Sequence, residues 1–255
     1  MDYLSRTIVA LDGISTPMAI EIMDHWKDTV YGFKLNHTIY TEIIPTNWNI
    51  FVDYKLADIP NTMQKVIESL IDDGASMVTI TMNTAQSHIE ALAKYADKIK
   101  LLGVTLLTSY NNDDIIGIYG ENSFDRIWNR SIQLMKDNGF YGAIVAPQDI
   151  VGVKRRMQDR SLKILSPGIR LVRPIENTDD QVRVGTPRKT LQLGADYLIM
   201  GRSFFNHLEE HKENIPKTIP IYQGGHGVHD VLDELQRQGN ALNAEPDLHN
   251  ENTAK

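Results

Sequence analysis

The 255-residue chain contains no cysteine. Disulfides, thiolate metal sites and a cysteine nucleophile are thereby excluded. It also lacks any apolar run near the roughly 18–20 residues needed to span a bilayer. The opening Met1–Arg6 is polar and leads straight into an apolar strand, without the basic and then apolar regions of a secretory signal. A cytoplasmic protein without membrane contact is the expectation. Positive charge is in deficit: 26 Lys and Arg stand against 33 Asp and Glu, a formal net charge of −7. Such a surface does not attract nucleic acid as a whole. An anionic ligand would need a local positive site built against the overall charge, which directs attention to single basic residues beside glycines.

What is present is an alternation. Short apolar runs near Thr7–Leu11, Tyr31–Leu35, Ile50–Tyr54, Met77–Thr81, Leu101–Leu107, Ala143–Ala146, Lys163–Leu165 and Tyr197–Met200 read as strands buried on both faces. Between them lie amphipathic stretches. Pro17–Trp26 spaces Met18, Ile22 and Trp26 four apart, and Thr62–Asp73 gathers Val66, Ile67, Leu70 and Ile71 before the stop at Gly74. Ser87–Tyr95, Phe124–Asn138, Gln148–Met157, Pro187–Leu193 and Ser203–Lys212 read as helices too, and His37–Ile44 carries the faintest pattern. Eight strand–helix alternations in a chain of this length predict an α/β fold, a single (β/α)8 TIM barrel over residues 1–222. An open doubly wound sheet is the alternative, but the first turn, Leu11-Asp12-Gly13-Ile14-Ser15, lacks the glycine pattern that fold favours. Residues 223–255 read as an extension, a short helix over Val228–Arg237 and then a polar tail.

In a barrel the C-terminal strand ends converge on one mouth. Read in order, those ends give Asp12, Lys34, Asp53, Lys55, Asp58, Thr108, Pro167, Gly201 and Arg202. Charges at the end of a buried strand cost several kcal/mol, on the order of 3–5, unless paired or used. Asp53 and Lys55, two apart, project to one face of a regular strand and can pair. A solvated salt-bridge cluster is the plain alternative, disfavoured by flanking Phe51, Val52 and Leu56. Gly201 and Arg202 follow the eighth strand, where backbone N–H groups and a guanidinium suit phosphate; an ordinary helix start is the bland reading. The long, polar stretch Leu171–Asp180 is a candidate lid or a plain surface loop.

The string DYKLADIPNT at Asp53–Thr62 resembles the DxKxxDIPxT signature of orotidine 5'-monophosphate (OMP) decarboxylases. SPGIR at Ser166–Arg170, DDQVRVGTP at Asp179–Pro187 and GADYLIMGRS at Gly194–Ser203 are similar to that family's phosphate-binding half. ALDG, FKLN and LLTS at Ala10, Phe33 and Leu106 match in order and spacing, so the resemblance covers about Thr7 to Phe205. It implies a cofactor-free, metal-free carboxy-lyase that converts OMP to UMP. Asp12 and Lys34 would hold ribose hydroxyls, Asp53 would face the departing carboxylate, and Lys55 would protonate C6. Asp58, Ile59 and Thr62 would reach a neighbouring subunit's site in a homodimer. Thr108 would lie on the loop that approaches the pyrimidine and ribose, and Pro167 would be a further substrate-binding residue, with Gln181, Gly201 and Arg202 at the phosphate and Arg170 near the same end. The fourth strand departs from the family: it ends Thr79-Ile80-Thr81-Met82-Asn83, where relatives often carry a histidine and small residues. In the fifth loop, Tyr110-Asn111-Asn112, Ser109 is the nearest candidate for a pyrimidine-contacting serine.

Two alternatives stay open. A Mg2+-dependent 3-keto-L-gulonate 6-phosphate decarboxylase shares the Asp-x-Lys-x-x-Asp strand. A non-catalytic nucleotide-phosphate binding barrel would keep the phosphate half without turnover. His207 and His211, and His226 and His229, have helical spacing but no carboxylate companions, so the histidines are read as surface residues and no metal site is predicted. Trp26, Trp48 and Trp128 are read as packing residues, not a stacking platform for nucleic acid.

Overall fold

The computed structural model describes residues 3–39, 48–120, 123–158, 160–170, 184–201 and 204. Eight parallel strands close into a barrel in sequence order. They are β1 (Thr7–Ala10), β2 (Gly32–Leu35), β3 (Ile50–Leu56), β4 (Met77–Thr81), β5 (Lys100–Val104), β6 (Gly142–Ile144), β7 (Lys163–Ser166) and β8 (Tyr197–Met200). The seam pairs β1 with β8, Ile8 opposite Ile199. Arg6, just before β1, fastens that seam from below by donating to the carbonyls of Asp196 (2.8 Å) and Ala195 (2.5 Å).

The expected strands are all present, with shifted ends. β5 stops at Val104 rather than Leu107, and β3 runs on to Leu56 because an irregularity in its pairing lets the chain continue past Tyr54. Around the barrel lie α1 (Thr16–Trp26), α2 (Pro60–Asp72), α3 (Gln86–Glu90), α4 (Asn112–Tyr119), α5 (Ser123–Asp137), α6 (Ile150–Met157) and α7 (Pro187–Leu193). Each long helix turns one stripe inward. In α1 that stripe is Ala19, Ile22, Met23 and Trp26; in α2 it is Met63, Ile67 and Leu70. Helix α4 was not anticipated from the sequence. Asn111 caps it by accepting from the Asp114 amide while Asp114 accepts from the Asn111 amide, a reciprocal capping box. The described part of the weak His37–Ile44 segment, as far as Ile39, is a turn. The rest of that segment, Leu171–Asp180, Ser203–Lys212 apart from Phe204, and the 223–255 extension lie outside the described residues.

The interior divides into two apolar cores. The larger lies between the strands and the helices. The smaller fills the barrel itself: Ile8, Phe51, Met77, Leu102 and Leu165 are wholly buried, with Ala10, Val104, Ile144 and Ile199 above them. The barrel is a packed core, so ligand chemistry is confined to its mouths. At the lower mouth, Tyr31, Tyr141 and Tyr197 pack beneath the inner core. Two of them precede glycines that have no room for a side chain. A Cβ on Gly32 would sit 2.2 Å from the Asn49 carbonyl, and one on Gly142 2.4 Å from the Lys163 carbonyl.

Candidate active site

At the upper mouth a cavity of about 380 Å³ opens over the inner core. Ala10, Val104, Ile144 and Ile199 form its apolar floor. Its walls bring together Asp12, Lys34, Asp53, Lys55, Thr108, Pro167, Arg170 and Gly201, all named from the sequence.

Charges alternate around the wall. Lys34 is buried, and an unpaired ammonium there would be costly. Three carboxylate oxygens meet its three donors: Asp12 Oδ1 and Oδ2 at 2.7 Å each, and Asp53 Oδ2 at 3.2 Å. The other oxygen of Asp53 accepts from Lys55 Nζ at 3.0 Å and from Thr79 Oγ1 at 2.9 Å. Burial pushes the Asp53 carboxyl upward, but the Lys34 and Lys55 charges and the hydrogen bonds from Lys55 and Thr79 outweigh it. The group is held below the ordinary carboxylate range. Asp53 is therefore an anion at neutral pH, fixed at both oxygens.

The local backbone explains the arrangement. On β3, Val52 pairs with Val78 and Leu56 with Ile80. Three residues, Asp53, Tyr54 and Lys55, thus bulge opposite the single residue Thr79. A regular strand would put Asp53 and Lys55 on one face; the bulge instead turns Lys55 separately, at φ +48°. A non-glycine residue in that region is strained by about 1–3 kcal/mol and persists only when its surroundings hold it. Two hydroxyls do so. Lys55 N–H donates to Thr79 Oγ1, and Thr81 Oγ1 donates to the Lys55 carbonyl, each at 2.9 Å. Neither threonine was marked as a site residue from sequence. Their signal was two hydroxyls at alternate positions of a strand that otherwise reads as apolar.

The remaining site residues divide. Asp58, Ile59 and Thr62 are exposed and stand outside the cavity lined by their own chain. Asp58 Oδ1 accepts from the Ile59 amide at 2.6 Å, and the Ile59 side chain is 59% exposed. Gln181 and Arg202 lie outside the described residues. The ends of the segment that contains Gln181 are fastened at the mouth: Arg170 N–H donates to the Gly185 carbonyl at 2.8 Å, and Gly185 N–H to the Gly168 carbonyl at 3.0 Å. Past the β1–β8 seam, Gly13, at φ +73°, donates to Thr38 Oγ1 at 3.0 Å, tying the loops after β1 and β2 together. Among the described residues no group of three His, Asp or Glu comes together as a metal site, and no helix is long and apolar enough to cross a membrane.

Fold and site together define a (β/α)8-barrel protein whose upper mouth holds an alternating array of lysines and carboxylates over an apolar floor. The chain belongs to the orotidine 5'-phosphate decarboxylase / HUMPS family, whose model matches residues 5–213. It is 32% identical over 213 residues to orotidine 5'-phosphate decarboxylase of Dictyoglomus turgidum, covering 76% of this chain and 86% of that one. Identity to the Carboxydothermus hydrogenoformans protein of the same name is 31% over 213 residues, 77% and 88% of the two chains. The crystal structure of orotidine 5'-phosphate decarboxylase from Lactobacillus acidophilus superposes with a TM-score of 0.62 at 19% identity, covering 92% of this chain and 99% of that one. At that identity the likeness speaks for the fold alone.

Proposed function

We propose that the protein is an orotidine 5'-phosphate decarboxylase, converting OMP to UMP and CO2 without metal or organic cofactor. The observation that carries this is the Lys34–Asp53–Lys55 array, in which an anion is held between two cations in the wall of a cavity with an apolar floor. Loss of CO2 from C6 leaves an electron pair with no conjugated sink. An ammonium fixed beside C6 stabilises that charge as it develops and then supplies the proton. Lys55 takes both tasks. Asp53 faces the departing carboxylate; two like charges ~4 Å apart repel by about 4 kcal/mol at an effective dielectric of ~20, and the repulsion ends when CO2 leaves neutral. Asp12 and Lys34 receive the ribose hydroxyls, and Thr108 and Pro167 flank the nucleoside. Gly201, Arg202, Gln181 and Arg170 receive the phosphate, whose remote binding energy lowers the barrier only where it is released in the transition state.

The active unit on this reading is a homodimer, and the protein works in the cytoplasm. The support for a shared site is the exposed trio Asp58, Ile59 and Thr62, which does not line the cavity of its own chain and includes an exposed apolar side chain, Ile59. Mixing inactive Lys55→Ala with inactive Asp58→Ala under subunit exchange tests it. Each mixed dimer would hold one doubly lesioned site and one intact site, so activity returns to at most about half of its sites. No recovery, with exchange verified separately, would rule the shared site out.

The function itself is tested by following the loss of OMP absorbance by fresh enzyme, with and without EDTA. Turnover insensitive to EDTA is expected. Loss of turnover in EDTA, restored by Mg2+, would favour the 3-keto-L-gulonate 6-phosphate type of chemistry. UMP binding without CO2 release would favour a binding barrel.

A further inference from the structure

We infer that Thr79 is a positioning residue of this site: its buried hydroxyl sets the backbone of Lys55, and through it the place of the ammonium group relative to Asp53. The inference rests on the decarboxylase reading and extends it to a residue that does not line the cavity.

A hydroxyl has one proton to give and lone pairs to receive with. Asp53, held ionised, can only accept, and a backbone amide can only donate. The proton of Thr79 is therefore committed to Asp53 Oδ1 and its lone pair to Lys55 N–H, both at 2.9 Å. The hydroxyl is locked in one orientation by partners of opposite need. Among the described residues it is the only side-chain hydroxyl that joins the two charged residues of β3, and Thr79 is 0% exposed, so water cannot replace it without opening the barrel wall.

The bulge makes that link necessary. With three residues of β3 facing one of β4, the regular ladder offers the Lys55 amide no carbonyl. Thr79 supplies an acceptor in its place, and Thr81 supplies a donor for the Lys55 carbonyl. Lys55 sits at φ +48° between these two anchors. Removing the first leaves a part-buried N–H unsatisfied, which relaxes by rotating the Lys55 backbone toward ordinary φ. The ammonium moves with it. Asp53 is displaced less, because Lys34 still holds its other oxygen. The loss falls on the chemical step, which depends on ångström placement of the proton donor, and not on nucleotide binding, which is made elsewhere on the mouth.

The test compares Thr79→Val, which keeps the shape and removes the hydroxyl, with Thr79→Ser, which keeps the hydroxyl and removes the methyl. Thr79→Val is expected to lower kcat by about 10–100-fold while KM and UMP affinity stay within about threefold. Thr79→Ser is expected to retain kcat within about threefold. Unchanged kcat in Thr79→Val, equal losses in Val and Ser, or a rise in KM matching the fall in kcat would each overturn the assignment. If Thr79→Val does not fold, Thr79→Cys replaces it, since a thiol packs readily but is a weak hydrogen-bond partner. Wild-type kcat in a folded Thr79→Cys would then overturn the assignment, and a loss confined to kcat would support it. Wild-type turnover of OMP is the reference in the same assay. Its absence overturns the decarboxylase reading together with this inference; its presence beside an unaffected Thr79→Val overturns the inference alone.

Discussion

The two mouths of the barrel each hold a lysine, buried Lys34 above and part-buried Lys100 below, and they satisfy it in opposite ways. At the upper mouth, Lys34 is met by carboxylate oxygens of Asp12 and Asp53, and a second lysine, Lys55, extends the alternation into the cavity. At the lower mouth, Lys100 donates to the Tyr31 hydroxyl at 3.0 Å and its ammonium lies 5.6 and 5.0 Å from the centres of the Tyr31 and Tyr141 rings. The Tyr31 and Tyr197 rings pack at 4.2 Å, and the Tyr141 and Tyr197 hydroxyls are hydrogen-bonded at 3.0 Å. Burial, and then the bonds to Tyr141 and Tyr31, push the Tyr197 phenol well up, so it stays neutral across the working range. One end thus spends its electrostatics on fixed charges around an open space. The other uses neutral phenols and ring faces to close a space. Strain sits at the upper end too, in the backbone of Lys55. The upper mouth is organised for a reaction and the lower for stability, and that contrast can be broken by experiment.

The largest effect belongs to Lys55→Ala. Turnover should fall on the order of 10²–10⁴-fold, the usual worth of a positioned acid, with UMP affinity kept within about tenfold. Its melting temperature should stay within ~1–2 °C of wild type, because the side chain is half-exposed and lies outside both cores. A variant with more than about a tenth of wild-type kcat would contradict the assigned proton donor.

Next comes Arg202→Ala. It should weaken OMP and UMP binding by about 2–4 kcal/mol, roughly 30- to 1000-fold, and leave the phosphate-free nucleoside nearly untouched. Equal losses for nucleotide and nucleoside, measured by calorimetric titration, would remove Arg202 from the phosphate.

The smallest effect, and the sharpest check of the contrast, is Tyr197→Phe at the lower mouth. It deletes one hydroxyl from the tyrosine cluster and should cost about 1 kcal/mol, a fall of ~2–4 °C in melting temperature, with kcat and KM unchanged. A fall in kcat at unchanged melting temperature would show that the two mouths communicate.

Much of this was legible in the sequence, for a physical reason. A strand buried on both faces must be a short apolar run, and the charges that interrupt such runs at their ends are conspicuous. Asp12, Lys34, Asp53 and Lys55 stood out on that ground, and they share one cavity. The signals that were missed depend on pairing between distant segments or on polar caps. The bulge at Asp53–Lys55 is a relation between β3 and β4, and the left-handed turn at Lys55 has no sequence mark. Thr79 looked like an ordinary strand residue because its hydroxyl works across the sheet. Helix α4 was passed over because Ile115 alone among its apolar residues is buried, so no stripe announced it; the Asn111 and Asp114 spacing was the usable sign. Of the lower-mouth tyrosines, Tyr31 and Tyr197 read as strand starts and Tyr141 fell between elements, although Tyr31 and Tyr141 each stand beside a glycine that only close strand contact requires.

The floor of the cavity is also the roof of the inner core: Ala10, Phe51, Val104, Ile144 and Ile199 belong to both. This has a consequence for how substrate range can change by mutation. Any substitution that deepens or shallows the floor repacks the core, and trimming an Ile to Val there costs about 0.5–1.5 kcal/mol. A chain only modestly above its stability threshold tolerates few such steps. Changes at the loops of the rim, such as Thr108 or Pro167, carry no comparable penalty. Selection for a bulkier or smaller ring is therefore expected to work first from the rim, while the floor accumulates compensating pairs or stays as it is.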